Sequence, residues 1–318
     1  MCLFSEYRPG STQILAPLRW MGLLPSVFHE RRRFRALAER WLRLRHGLSG
    51  YVALHKVPPE HFRWLDLPER EDLFEATEIG GAPTFLAEAR AAGLSVYSSP
   101  WRTPEPQRWR DAHGVLRREK PDLTFLYCAE LDAILHREGN QGSHAEEALD
   151  RIAEHVARAR EALLEGGGEL TTLMVGDHGM ADIRSTIDPR PTLALLAPLR
   201  VFVDSTMLRC WGGEKDLFRA KSLIERRGWP GTWLDESALR ACNAPTRGAS
   251  YGNALFLLDE GVMFAPSFLG GAAAGMHGYG LGTASCFSAL ASDRALPASC
   301  EALNDLAGLV RTHLGLGN

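Results

Sequence analysis

No run of about 18 apolar residues occurs anywhere in the 318-residue chain, which argues against a transmembrane helix. The opening MCLFSEYRPGSTQ also lacks the cationic-then-apolar order of a secretory signal. The expectation is therefore a cytoplasmic protein with no integral membrane segment. CxxC pairs are missing too. The six cysteines (Cys2, Cys128, Cys210, Cys242, Cys286 and Cys300) lie far apart, so they read as reduced thiols rather than a disulfide framework. A net charge of only -3 gives no sign of a nucleic-acid binder. No internal repeat and no low-complexity tract interrupts the chain. What remains is 45% hydrophobic and 24% charged, enough for one large domain or two modest ones with a real core.

Residues Glu30 to His46 place Phe34, Leu37, Trp41 and Leu44 at spacings of three and four, with arginines between them. The expectation is a surface helix docked on the core by that apolar face, its cationic face outward. A membrane-surface or anionic-partner role is the alternative.

From Pro83 helices and strands alternate. Residues 83–92 predict a helix stopped at Gly93, LSVYSS a strand, 104–119 a helix, and DLTFLYC (122–128) a strand. A long helix over roughly 143–165 ends at Gly166-Gly167-Gly168. Leu170 to Val175 follows as a buried strand, and roughly Ser299 to Leu314 closes the chain as a helix. This alternation implies an α/β fold with a mainly parallel sheet and helices on both faces. Between about Arg184 and Val262 the apolar pieces shorten and Gly, Pro and Asn separate them. That change predicts a smaller inserted α+β subdomain with antiparallel strands.

Three clusters carry chemistry, each beyond a predicted strand or in a loop, where open α/β sheets collect ligands. GDHGM (176–180) puts Asp177 and His178 at a strand end; both donor types suit zinc. In ELDAILHREG (130–139), Asp132 and His136 share a face if the segment is helical. GMHGYG (275–280) offers His277 from a glycine-rich loop. Singly, each has a plain reading as a turn aspartate, a helical ion pair or a surface histidine.

Together these stretches, PDLTFLYCAELDAILHREG, LMVGDHGMADI and GVMFAPSFLGGAAAGMHGYG, resemble the type I phosphodiesterase/nucleotide pyrophosphatase branch of the alkaline phosphatase superfamily. The resemblance runs from about Gly80 to Ser288. It implies an alkaline phosphatase-like core from 1–183 and 263–318, with 184–262 inserted. It also implies two zinc ions: one held by Asp132, His136 and His277, the other by Asp177 and His178 with a further aspartate. The substrate would be a phosphoester or nucleotide-like small molecule, attacked by a Thr or Ser nucleophile that forms a covalent intermediate.

That nucleophile is not evident. Ser5, Ser11 and Thr12 precede Ile14, but no strand ending in Asp-Gly leads to them, and no aspartate occurs before Asp66. The expectation is that the aspartate and the Thr or Ser come from an upstream segment or a second polypeptide. Leu135, Gly176 and Gly280 depart from the family's usual Gly, Ser and Asp, which weakens expected metal binding and keeps a non-catalytic binding or interaction protein in view. A plain structural or regulatory module with incidental histidines is a third account. Trp211, Trp229, Trp233 and Tyr251 lie where selectivity is expected, as core and rim aromatics or as stacking partners for a nucleobase or lipid headgroup.

Overall fold

A computed structural model describes residues 32–50, 71–79, 82–165, 167–197, 199–242, 252–268, 270–297 and 300–316. Ser5, Ser11, Thr12, Asp66 and Tyr251 lie outside them, so those readings are not addressed by the coordinates. The chain forms two compact units, one of Leu73–Met180 with Ala284–Asn318, the other of Met1–Asp72 with Ala181–Thr283.

The unit built on Leu73–Met180 follows the alternation read from the sequence. Thr84 caps helix Phe85–Ala91, its hydroxyl accepting from Ala87 N at 3.1 Å. Strand Val96–Ser98 leads through helix Glu105–Glu119 to strand Leu123–Phe125, and the two strands pair in parallel. A parallel pair needs such a crossover, and the intervening helix supplies it. Helix Ser143–Leu164 packs on helix Glu105–Glu119 through Leu116, Ala159 and Ala162. Its other end packs on helix Glu130–Glu138 through Ala145, Ala148 and Ile134. Helix Asp305–His313 is tied back by Arg311, whose guanidinium donates to Glu88 at 2.5 Å.

Two details differ from the expected sheet. The expected strand Leu170–Val175 is observed over Leu173–Val175, and it pairs antiparallel with Leu290–Ser292. Met174 and Val175 are 37% and 45% exposed rather than buried. Among the described residues this strand has one ladder partner, so its apolar side chains are covered incompletely. Asp293 closes that ladder, accepting from Thr172 N at 2.9 Å and pairing with Arg160.

The other unit holds a four-stranded antiparallel sheet, in the order Gly231–Leu234, Ala254–Leu258, Met207–Trp211, Arg200–Val203. Strand Ala254–Leu258 is buried throughout, as a central strand must be. Helix Glu214–Arg227 presents Ala220 and Ile224, and the latter joins Val203, Leu208, Cys210, Phe256 and Phe264 in the core. Gly231 has no alternative: a Cβ there would lie 2.4 Å from the Leu257 carbonyl oxygen. Trp229 packs on Phe264 and Trp233 on Phe256, both at 5.2 Å between ring centres, and Trp211 is buried. These three tryptophans are packing residues. The five described cysteines are free thiols.

Helix Arg32–His46 forms where the arginine-rich stretch predicted it, but it is turned the other way. Leu37, Trp41 and Leu44 are 62%, 46% and 78% exposed, while Leu42 is fully buried. The expected docking face is the outward face. Arg43 fixes this orientation by donating to the Gly50 carbonyl at 3.0 Å and to the Leu48 carbonyl at 3.4 Å.

Between helices Glu105–Glu119 and Ser143–Leu164, His113 Nε2 lies 3.2 Å from His155 Nδ1, and Trp109 stacks on His155 at 4.7 Å. Burial first, then neighbouring positive groups (His155, Arg158 and Arg117 for His113; Arg158 for His155), lowers both imidazole pKa values. Their neutral forms are favoured in the fold, so the unfolded chain takes protons first. Stability is then fully present above about pH 6.5 and is lost as pH falls from there through the lowered folded values. Urea midpoints measured between about pH 8 and pH 5 are expected to fall more steeply for the native sequence than for a His113→Gln/His155→Gln double variant. Parallel curves would show that the pair does not contribute.

Candidate metal centre

Helix Glu130–Glu138 starts without a cap of its own; Ala129 makes no side-chain capping bond. The missing acceptor comes from Glu105, whose Oε2 accepts from Ala129 N at 2.7 Å and Glu130 N at 2.9 Å. That buried carboxylate is also paired with Arg108 at 3.3 Å. A negative group against free helix N–H bonds is favourable both as an acceptor and through the helix dipole. Glu105 therefore determines where the helix begins, and so where Asp132, in its first turn, is held.

One turn on, His136 shares Asp132's face. Its Nε2 lies 3.4 Å from Asp132 Oδ1, the i,i+4 relation the spacing predicts. Leu135 packs with Leu131 against the Ile134, Ala145 and Ala148 cluster. The leucine is absorbed between helices and does not crowd the turn.

The second contribution comes from the loop after strand Leu173–Val175. Gly176 N donates to the Ala289 carbonyl at 2.9 Å and Gly179 N to the Ser285 carbonyl at 3.1 Å. A Cβ on Gly179 would stand 2.7 Å from the Phe287 carbonyl oxygen, so only glycine permits this approach. Asn140 reaches across to the Met180 carbonyl at 2.9 Å. Held this way, His178 Nε2 lies 4.0 Å from Asp132 Oδ1 and 3.6 Å from Asp177 Oδ1. His178 Nδ1 is 3.0 Å from the Gly179 carbonyl. A carbonyl only accepts, so Nδ1 carries the proton and the Nε2 lone pair faces the carboxylates.

Four of the five expected donors, Asp132, His136, Asp177 and His178, thus meet within one unit. His178 lies against both aspartates and is not confined to Asp177. His277 belongs to the other unit, following strand Gly275–Met276 in a loop where Thr206 donates to the Gly278 carbonyl at 2.8 Å. The pairs His136–Asp132, His178–Asp177 and His178–Asp132, at 3.4, 3.6 and 4.0 Å, are each spaced as two neighbouring ligands of an ion are, because bonds of about 2.0–2.2 Å separate ligand atoms by roughly that span. Two imidazoles with carboxylates are a donor set suited to zinc.

A cleft of about 410 Å³ opens beside the same helix start. Trp101, Arg102, Pro104, Glu105, Arg108 and Glu130 line it, just past the carboxyl ends of the parallel pair. It does not contain the metal donors. Arg102 lies over the Trp101 ring at 5.0 Å. Nearby Cys128 has its thiol pushed up to about 12 by burial and then by Glu105, so it stays protonated at neutral pH and is no nucleophile.

Glu105 and Arg108 escaped sequence reasoning. Glu105 reads as an ordinary first-turn acid, and its partners are 24 and 25 residues away. Gly179 was legible, since the GDHG spacing asks for a tight turn.

Residues 53–206 match the family model for type I phosphodiesterase / nucleotide pyrophosphatase. Among solved structures, murine ectonucleotide pyrophosphatase / phosphodiesterase 5 superposes with a TM-score of 0.60 at 14% identity, covering 74% of this chain and 71% of that one. An inactive form of the murine protein in complex with AMP gives the same values. The human counterpart superposes with a TM-score of 0.56, at the same identity and coverage. No curated protein sequence matches significantly. The α/β fold is thereby shown to be alkaline phosphatase-like.

If Asp132 is the shared ligand, Asp132→Asn in chelator-stripped protein lowers zinc affinity by at least about 100-fold, because loss of a direct ligand exceeds the 10–100-fold typical of outer partners. Asp122→Asn, which alters a carboxylate bonded to Ser95 instead, leaves affinity unchanged. Calorimetric titration with zinc distinguishes the two, and equal affinities in both variants would remove Asp132 from the site.

Proposed function

Because residues 53–206 match the family model for type I phosphodiesterase / nucleotide pyrophosphatase, we propose that this protein is a zinc-dependent phosphoester hydrolase acting on nucleotide-like substrates. One observation supports the reading most: Asp132 Oδ1 stands at 3.4 and 4.0 Å from the Nε2 atoms of His136 and His178. The resemblance divides the donors between two ions, with Asp132, His136 and His277 on one and Asp177 and His178 on the other. Bound zinc supplies Lewis-acid polarisation of a phosphoryl oxygen and an activated water.

The chain's own residues do the rest. Asp132 and Asp177 bring negative charge that offsets the cations, and the Gly179 carbonyl keeps His178 in the tautomer with Nε2 free to ligate. Glu105 holds the helix start that carries Asp132. AMP in the murine neighbour supports a nucleoside phosphoester as substrate, its organic part against the cleft that Trp101 and Arg102 line.

A second reading, a non-catalytic member that binds metal or nucleotide, is favoured by one feature. A Cβ at Gly176 would meet nothing closer than 3.6 Å, so the serine usual in the family is absent without a steric cause. Activity separates the readings. Chelator-stripped protein is expected to release nitrophenolate from bis(p-nitrophenyl) phosphate only after zinc is restored, and His136→Ala or His178→Ala to cut kcat/KM by at least about 100-fold. Bound zinc and AMP without turnover would establish the binding reading. Turnover indifferent to zinc and to both substitutions would sink the metal-dependent one.

A further inference from the structure

We propose that helix Arg32–His46 lays its outward face on an anionic lipid surface. The exposed residues Leu37, Trp41 and Leu44 recur at i, i+4 and i+7, so they form one stripe along the helix. Arg40 and Arg45 are exposed as well, and at 100° per residue they fall on opposite flanks of that stripe. The helix contains six arginines against one glutamate. That glutamate, Glu39, is partnered by Arg43 at 3.4 Å. A chain of net charge -3 thus carries an exposed arginine on each flank of this tryptophan-bearing apolar stripe.

The inner side of the helix is already committed. Leu42 is buried, and Arg43 is spent on the Leu48 and Gly50 carbonyls. The outward stripe cannot roll inward without breaking those contacts.

Charge complementarity selects the occupant. A second copy of the same face would set arginine against arginine around its leucines. A nucleic acid would satisfy the guanidinium groups but leave two leucines and an indole against a polar backbone. A lipid leaflet with anionic headgroups satisfies both: apolar side chains enter the acyl boundary, the indole sits at headgroup depth, and the arginine stems reach up to phosphate. Fifteen residues span roughly 22 Å, and no described helix is long and apolar enough to cross a membrane. The helix would therefore lie in the plane of the surface.

Co-sedimentation of the full chain with vesicles tests this. Phosphatidylcholine vesicles containing about one-third phosphatidylserine are expected to bind at least about ten times more protein than phosphatidylcholine alone, with binding weakened by salt. Leu37→Ser/Leu44→Ser lowers partitioning at least about ten-fold, and Arg40→Gln/Arg45→Gln about ten- to thirty-fold. All four side chains are exposed, so circular dichroism and melting should match the native protein in both variants. Equal partitioning to both vesicle types, or to neither, overturns the proposal. So does a dimer dispersed by the serine variant, which would make the face a self-contact. Binding lost with the arginines yet kept with the serines would also overturn it, in favour of a polyanion site.

Discussion

The position of the Asp132 carboxylate is the constraint on which the site depends. It stands within 4.0 Å of imidazole nitrogens from two separate segments, and each approach is set by different physics. His136 arrives by helical periodicity alone. His178 arrives because a loop is pulled against the Ser285–Ala289 segment by backbone hydrogen bonds and because Gly179 has no side chain to prevent it. Both depend on the first turn of the helix being held in place, since Asp132 lies in that turn. Glu105 anchors that turn by accepting from the Ala129 and Glu130 N–H groups. Charge-assisted bonds of this kind are worth about 1.5–3 kcal/mol each, several times the effect of an exposed ion pair. The precision of the donors thus rests on a carboxylate that is not one of them.

Much of this was legible in the sequence because it is local. Capping residues, a stop at Gly93 and i,i+4 spacing act over a few residues, and the helices appear close to where such signals place them. The GDHG turn and the crossover between Val96–Ser98 and Leu123–Phe125 were legible for the same reason. What could not be read locally was set by contacts between distant segments. The antiparallel pairing of Leu290–Ser292 depends on Asp293 meeting Arg160 and Thr172, more than a hundred residues away. The burial expected for Met174 and Val175 depended on neighbours that periodicity does not reveal. Helix Arg32–His46 is the sharpest instance. Its moment identified an apolar stripe correctly, but a moment carries no sign for inside or outside, and one leucine off the stripe with one arginine determined the docking.

Trp211, Trp229 and Trp233 show the same limit from the other side. Their composition alone was compatible with a stacking platform for a ligand. Packing against Phe256 and Phe264 instead completes the core behind the four-stranded sheet, where large aromatic surfaces contribute most to stability. The tryptophan that lines the cleft is Trp101, with Arg102 over its ring at 5.0 Å, outside the stretch where composition had suggested selectivity. Its sequence context is a short Pro-rich turn, SSPWRTPEP. Such a turn projects a side chain past the end of a strand because proline cannot continue the ladder.

At 14% identity the likeness to solved structures carries the fold and nothing finer, and a fold by itself does not specify chemistry. The functional reading must come from side chains. Two carboxylates and two imidazoles converging in one unit are not required by an alkaline phosphatase-like core. Its sheet and helices would pack equally well with polar residues of other kinds at Asp132, His136, Asp177 and His178, all of which retain solvent exposure. Carboxylate and imidazole pairs at 3.4 to 4.0 Å on partly exposed side chains contribute little to stability. The fold therefore gains little from the arrangement itself. On the proposed reading, zinc would take these ligand types. These donor types, more than the shape of the sheet, are what the proposed metal-dependent chemistry rests on.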